Sequence, residues 1–222
     1  MPEIIPALMP KTIEELRDKL ALVRGAARYV QLDTMDGKFV PNVSFPYEAK
    51  GKLGQMPGEL PFWEDFNFEF DLMVEHPEET VGAFLSLGAS RIVLHAESSE
   101  AHLLLRAIDE IRNFDCEAGI AAGNDTPLSA LEPFLYRVNF AQIMGIRRVG
   151  FQGEPFDARA ISRIQELRAK YPELSISVDG GVNLETISYL AEAGADHFVV
   201  GSAVFDVGDA KGAIEALAQA MQ

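Results

Sequence analysis

Short runs crowded with Val, Ile, Leu, Phe and Tyr alternate along this chain with longer stretches in which apolar residues return every three or four positions. The first pattern is that of a buried strand, the second that of a helix with one face on a core. Residues 3–7 read as a first strand and 12–23 as a helix, with Ile13, Leu16, Leu20 and Val23 on one face and Thr12 and Glu15 spaced as a capping box. A second strand begins at Tyr29 and ends at Asp33, where Asp36-Gly37 signals a turn. The segment 43–65, rich in Pro, Gly and charge, is the least regular, and a short helix is expected at 47–53. Further strands are predicted at 67–74, 91–95, 116–121, 137–144, 175–179 and 197–200. Helices are predicted at 77–87, 100–113, 157–170 and 210–221, with one capped by Asn183 and a short one after Thr126-Pro127.

Gly25-Ala26, Gly88-Ala89 and Gly194-Ala195 each follow a helical pattern and precede a strand, as helix-ending glycines do. Seven or eight residues beyond them come Asp33, His95 and Gly201. Eight strand and helix pairs with no linker between them describe an α/β protein, a (β/α)8 barrel formed by residues 1–222 as one domain, with its chemistry at the C-terminal ends of the strands. An open doubly wound sheet is the alternative, but no G-x-G-x-x-G follows the first strand.

Charge narrows the partners. With 34 Asp and Glu against 19 Lys and Arg, the formal net charge is −15, which argues against a nucleic-acid backbone as partner. No run approaches the roughly 18 apolar residues of a membrane span, and the N-terminus lacks the pattern of a secretory leader, so a cytoplasmic protein without membrane contact is expected. Cys116, the single cysteine, reads as a small buried filler.

Two strand ends carry the candidate chemistry. YVQLDTMDGKFVPN (29–42) delivers Asp33 to a loop, and SISVDGGV (175–182) delivers Asp179 to a pair of glycines; the two aspartates are expected to face one another across one site. Inverting a carbon beside a carbonyl needs one group to remove a proton from one face of a flat enediolate and another to return one to the opposite face. Two carboxylates on distant strands of one barrel meet that demand. Gly150 and Gly153, then Gly180 and Gly181, then Gly201 and Ser202 follow three successive strands and are expected to turn backbone N–H groups toward one phosphate. Arg147 and Arg148 precede the first of these loops, positioned either for the phosphate or for surface carboxylates. His95 ends a strand at the barrel mouth, His76 and His197 read as peripheral, and His102 lies on a helix.

LDTMDGKFVPN (32–42), DLMVEHPEE (71–79), IVLHAE (92–97), TPLSALEPFL (126–135), GFQGEPF (150–156), VDGGVN (178–183) and AGADHFVVGSAVF (193–205) together resemble the ribulose-phosphate 3-epimerase family over nearly the whole chain. The resemblance implies a small phosphorylated sugar, ribulose 5-phosphate or a relative, as substrate and Asp33 and Asp179 as the acid and base. It also implies a divalent metal, but the two family histidines that bind it are here Gln31 and Asp71. The family's Ser in Pro-Ser-Ile-Leu is Ala7, and the string before the phosphate loop has become MGIRRVG (144–150), although Met35 is kept. Gln31, Asp33, Asp71 and Asp179 would form an oxygen-only set suited to Mg or Mn rather than Zn. The competing expectation is a metal-free site in which a neutral Asp71 donates a hydrogen bond. A homo-oligomer is expected. Two other functions stay open: a lyase or decarboxylase on the same barrel, weakened because Met35 stands where an Asp-x-Lys-x-x-Asp arrangement needs its Lys, and a non-catalytic phosphosugar binder.

Overall fold

The computed structural model describes residues 2–221. In chain order its elements are β1 (Glu3–Leu8), α1 (Ile13–Val23), β2 (Tyr29–Met35), β3 (Tyr47–Ala49), β4 (Lys52–Leu53), β5 (Asn67–Met73), α2 (Val81–Ser86), β6 (Arg91–His95), α3 (Ala101–Asn113) and β7 (Glu117–Ala122). They continue with β8 (Phe140–Met144), α4 (Arg159–Lys170), β9 (Ser175–Asp179), α5 (Ile187–Ala193), β10 (His197–Val200), α6 (Ser202–Phe205) and α7 (Ala210–Ala220). Among the described residues eight strands close into a parallel barrel in the order β1-β10-β9-β8-β7-β6-β5-β2. Among the described residues no helix is long and apolar enough to cross a membrane.

Alternation along each strand separates two interiors. Val30, Leu32, Phe68, Phe70, Leu72, Ile92, Leu94, Ile176, Val178, Phe198 and Val200 point outward and meet Leu16, Leu20, Val81, Phe84, Leu104 and Ile108 of the helices in one large core. Phe70 lies 5.1 Å from Phe84, ring to ring, and truncating such a buried ring to Ala costs about 3–5 kcal/mol. The lumen is different. Its apolar residues form small islands, Ile5, Ala7 and Val199 in one and Val93, Ala121 and Phe140 in another, between buried Gln31, Glu69, Asp71, His95, Gln142 and Ser177.

Local chemistry explains where elements begin and end. Thr12 Oγ1 accepts from Glu15 N at 3.2 Å while Glu15 Oε2 accepts from Lys11 N at 2.8 Å, a reciprocal cap at the start of α1. Gly25, Gly88 and Gly194 all take positive φ at the three helix-to-strand joints, where a Cβ would be strained.

Several expected elements differ. Residues 47–53 form a hairpin and not a helix: Tyr47 pairs with Leu53 across β3 and β4, and Gly51 at φ +65° makes the turn. After β7 only a 3-10 turn, Leu128–Ala130, is present, so two of the eight crossings lack an α-helix among the described residues. The helix expected at 77–87 is broken by Thr80, whose φ of −122° separates a 3-10 turn at Pro77–Glu79 from α2. β8 begins at Phe140, because Asn139 uses its side chain to accept from Ala118 N. Asn183 Oδ1 accepts from Glu185 N and Thr186 N, which closes a turn, and α5 starts four residues later.

Candidate active site

Because the barrel strands run parallel, their C-terminal ends share one rim, and residues of one parity on each strand face the lumen. This brings Gln31 and Asp33 of β2, Asp71 of β5, His95 of β6, Gln142 of β8 and Asp179 of β9 together. Asp33 and Asp71 are register partners on neighbouring strands. One carboxylate oxygen from each of Asp33, Asp71 and Asp179 lies within 4.8 Å of the other two, and all three side chains are buried. Gln31 Nε2 donates to Asp33 Oδ1 at 2.7 Å and to Asp179 Oδ2 at 3.3 Å, so one amide spans the two aspartates that the sequence pairs. Asp71 is held on both oxygens: Oδ2 accepts from Gln142 Nε2 at 3.0 Å, and Oδ1 lies 2.9 Å from His95 Nε2.

Electrostatics follow from the burial. Asp33 is pushed well above the usual carboxylate range, first by loss of water and then by the charges of Asp179 and Asp71, with the Gln31 hydrogen bond opposing. Asp179 rises to about 7 by burial and the Asp71 charge, against Gln31, His95 and the Gly180 N–H. Burial works against a charged His95, but the adjoining Asp71 outweighs it and raises the imidazole. Asp33 and Asp179 are thus buried carboxyls that hold their protons more tightly than carboxyls in water do. Both oxygens of Asp71 have hydrogen-bonding neighbours, His95 Nε2 and Gln142 Nε2.

Directly beside the carboxylates lies a narrow cleft. Gly150, Gly153, Gly180, Gly181, Gly201 and Ser202 all line it, together with Asp33 and Asp179. Gly180 and Gly181 take φ of +95° and +68°, and a Cβ on Gly181 would stand 2.9 Å from the Phe156 Cα. No Lys or Arg is among the lining residues, which include the carboxylates Asp33, Glu154 and Asp179. Arg148 instead forms a two-pronged pair with Glu154 and stacks 4.7 Å from the Phe151 ring centre, while Arg147 lines a neighbouring cleft with His95 and Glu97.

Other contributors were not anticipated. Gly145 follows β8 so closely that a Cβ would run into the Gly180 carbonyl oxygen, and its N–H donates to Asp179 O at 2.6 Å. Asp36, read as a turn residue, is buried, accepting from Lys38 N, Phe39 N and Glu75 N and so binding the loop after β2 to the end of β5. Asn42 Nδ2 donates to Gly150 O at 2.7 Å, joining that loop to the glycine loop after β8. Gln152 extends over Gly201. Each lay inside a string singled out in the sequence, Asn42 at the end of 32–42, Gly145 in 144–150 and Gln152 in 150–156, but nothing in those strings marked its contact. His76 and His102 are exposed, and His197 faces the opposite end of the barrel, where its ring lies 6.0 Å from Phe140. Cys116 is buried and its thiol is pushed up to about 12 by burial, as suits a filler.

The donor set fits a hard divalent cation. Three buried carboxylates can each offer one oxygen. Gln31 Oε1 is buried without a partner, so a half-turn of that amide would bring a fourth oxygen to the group in place of its N–H donors.

The sequence pattern of the ribulose-phosphate 3 epimerase family matches residues 3–205. A ribulose-phosphate 3-epimerase from Aquifex aeolicus is 33% identical over 193 residues, 85% of this chain and 82% of the relative. A chloroplastic ribulose-5-phosphate-3-epimerase from Arabidopsis thaliana is 30% identical over 220 residues, 97% of this chain and 74% of the relative. Among solved structures, KGPDC from Streptococcus mutans superposes with a TM-score of 0.75 at 13% identity, covering 100% of this chain and 97% of that one, a likeness of fold.

Proposed function

The chain belongs to the ribulose-phosphate 3-epimerase family, and from its site we propose that it is an isomerase that inverts carbon 3 of a ketose phosphate, ribulose 5-phosphate to xylulose 5-phosphate or a close relative. The observation that carries this reading is the pairing of Asp33 with Asp179: two buried carboxylates, both raised above the usual carboxylate range and bridged by Gln31, at the edge of a glycine-lined cleft. One of them, ionised, takes the proton from one face of carbon 3; the other, protonated, returns one to the opposite face. Each leaves the turnover in the state in which its partner began, which suits a reversible reaction. The glycine N–H groups hold the phosphate, and the buried surroundings keep bulk water from the enediolate.

Gln31, Asp33, Asp71 and Asp179 would hold the cation in this reading, Mg or Mn before Zn, because the set contains only oxygens. When bound, such an ion supplies positive charge beside the oxygen that becomes negative as the carbon loses its proton. The reading extends to a cytoplasmic homo-oligomer, for which exposed Leu184, Tyr189 and Val207 are the support. A decarboxylase is disfavoured by the absence of a Lys between Asp33 and Asp36, and a mere binder by the retained pair of proton-carrying aspartates.

Deuterium incorporation from solvent into ribulose 5-phosphate, followed by NMR with and without EDTA, tests this. Exchange at carbon 3 with formation of the epimer is expected, slowed by chelation and restored by Mg or Mn. Binding without exchange would refute the two-base reading, and tightly bound stoichiometric zinc would refute the oxygen-only site.

A further inference from the structure

We infer that Gln142 is a positioning residue for this reaction, acting through Asp71 to hold the proton-transferring pair in its working geometry; the inference rests on the two-base reading above. Gln142 stands on the lumen side of β8 between Phe140 and Met144, two apolar residues of the same parity, and it is fully buried. An apolar residue of the same volume would fill that space without burying an amide. What the amide adds is its Nε2, which donates to Asp71 Oδ2 at 3.0 Å, while its own Oε1 has no partner. A fully buried amide satisfied on one side only points to a service rendered to its neighbour rather than to packing.

That service is orientation. His95 Nε2 stands 2.9 Å from the other oxygen of Asp71, and the His95 ring is itself backed by Phe39 at 5.2 Å between ring centres. Contacts from β6 and β8 thus fix the plane of a carboxylate carried by β5. Gln142 is the only amide among the described residues hydrogen-bonded to Asp71 Oδ2. Without it, only the His95 contact on Oδ1 restrains the Asp71 carboxylate, which can then swing Oδ2 toward Asp33 and Asp179, whose oxygens lie within 4.8 Å. Turning would change the field and the space in which those two aspartates work. Gln31 does for Asp33 and Asp179 what Gln142 does for Asp71, so two lumen amides together set the arrangement of three acids.

Gln142→Met, with Gln142→Leu as a second variant, tests the assignment. Each should lower kcat for ribulose 5-phosphate at least tenfold while KM stays within twofold, since Gln142 does not itself line the phosphate cleft, and the melting temperature should hold or rise. A crystal structure of the variant should show the Asp71 carboxylate rotated out of its wild-type plane. A kcat equal to wild type, a fall in kcat matched by a fall in melting temperature, or an Asp71 unmoved in the variant would each overturn the inference. Should the wild-type protein fail to epimerise ribulose 5-phosphate, the proposed function falls, and the orientation of Asp71 in the variant still decides this question separately.

Discussion

At the N-terminal end of the barrel lumen Arg91 reaches Glu117 at 2.6 Å, Glu69 at 3.7 Å and Glu3 at 3.9 Å and lies 3.8 Å above the Tyr29 ring centre. At the other end Asp33, Asp71 and Asp179 face one another with two amides and one imidazole for company. Both ends bury carboxylates, and only the first gives them a guanidinium. A buried acid beside a fixed cation holds strands in place; buried acids left with one another must share protons or take up a cation, which is the condition of a reactive site. At the first end the Arg91 charge opposes the burial that raises Glu69 to about 8, and at the second no guanidinium opposes it, so stability and activity should respond oppositely to mutations at the two ends.

The largest effect expected is at the mouth. Asp33→Asn and Asp179→Asn should each reduce epimerisation on the order of 10³-fold, as loss of an acid or base does. Stability should move the other way. Asp179 holds its proton up to about pH 7 in the folded protein and releases it near 4 when unfolded, so the native state binds more protons between those values and loses stability as pH rises through them. Asp179→Asn should thus unfold at higher denaturant than wild type at pH 8, by about 1–3 kcal/mol, and show little gain at pH 4. A variant that is active, or that is destabilised at pH 8, would erase the contrast between the ends.

Arg91→Met attacks the other end. Removing the guanidinium takes from fully buried Glu69, already raised to about 8 by burial, the charge that opposes that rise, and should cost up to about 3–5 kcal/mol in chemical denaturation at pH 9 and less at pH 7. Adding Glu69→Gln should recover much of the loss at pH 9, because no acid is then left there to ionise without a cation. Equal stability of the single and double variants would show that the pair is not what holds this end.

How much of this was legible in the sequence depends on range. Apolar runs ending in a carboxylate made Asp33 and Asp179 readable as strand-end residues, Asp71 came only through the family resemblance, and the glycines after β8, β9 and β10 share one cleft as their spacing implied. What escaped were relations across the lumen. Gln142 reads as an ordinary polar interruption of a strand until β8 is seen opposite β5, and Glu69 with Arg91 reads as two charges until β5 and β6 pair at that register. The hairpin at 47–53 escaped for a different reason: strands of three and two residues are too short to show a period.

A smaller effect sharpens the cleft. A Cβ on Gly201 would stand 2.9 Å from Gln152 Nε2, the end of a flexible side chain, and Gly201 has negative φ, so Gly201→Val should fold normally. Phosphosugar affinity measured by calorimetry should fall about tenfold or more, by the loss of close backbone approach. Unchanged affinity would move the anion elsewhere.

The smallest effect belongs to His197 at the lower end, whose imidazole is held down to about 4, by burial first and then by Arg91. Unfolded, it titrates near 6.5, so its contribution to stability is complete above that value and is lost as pH falls toward 4. His197→Phe should flatten that part of the stability curve by about 1 kcal/mol, measured by denaturation at pH 7 and pH 4.5.

The glycine-lined cleft has a kinetic consequence. If the phosphate sits there as proposed, it is held without a basic side chain in the lining, in a protein of formal net charge −15. A doubly charged ligand therefore diffuses uphill until it is within a few ångströms of the amides. Adding salt screens that repulsion beyond roughly 10 Å and leaves the contact itself almost unchanged. Encounter should quicken as ionic strength rises, the reverse of what an enzyme that steers phosphates with lysines and arginines would show.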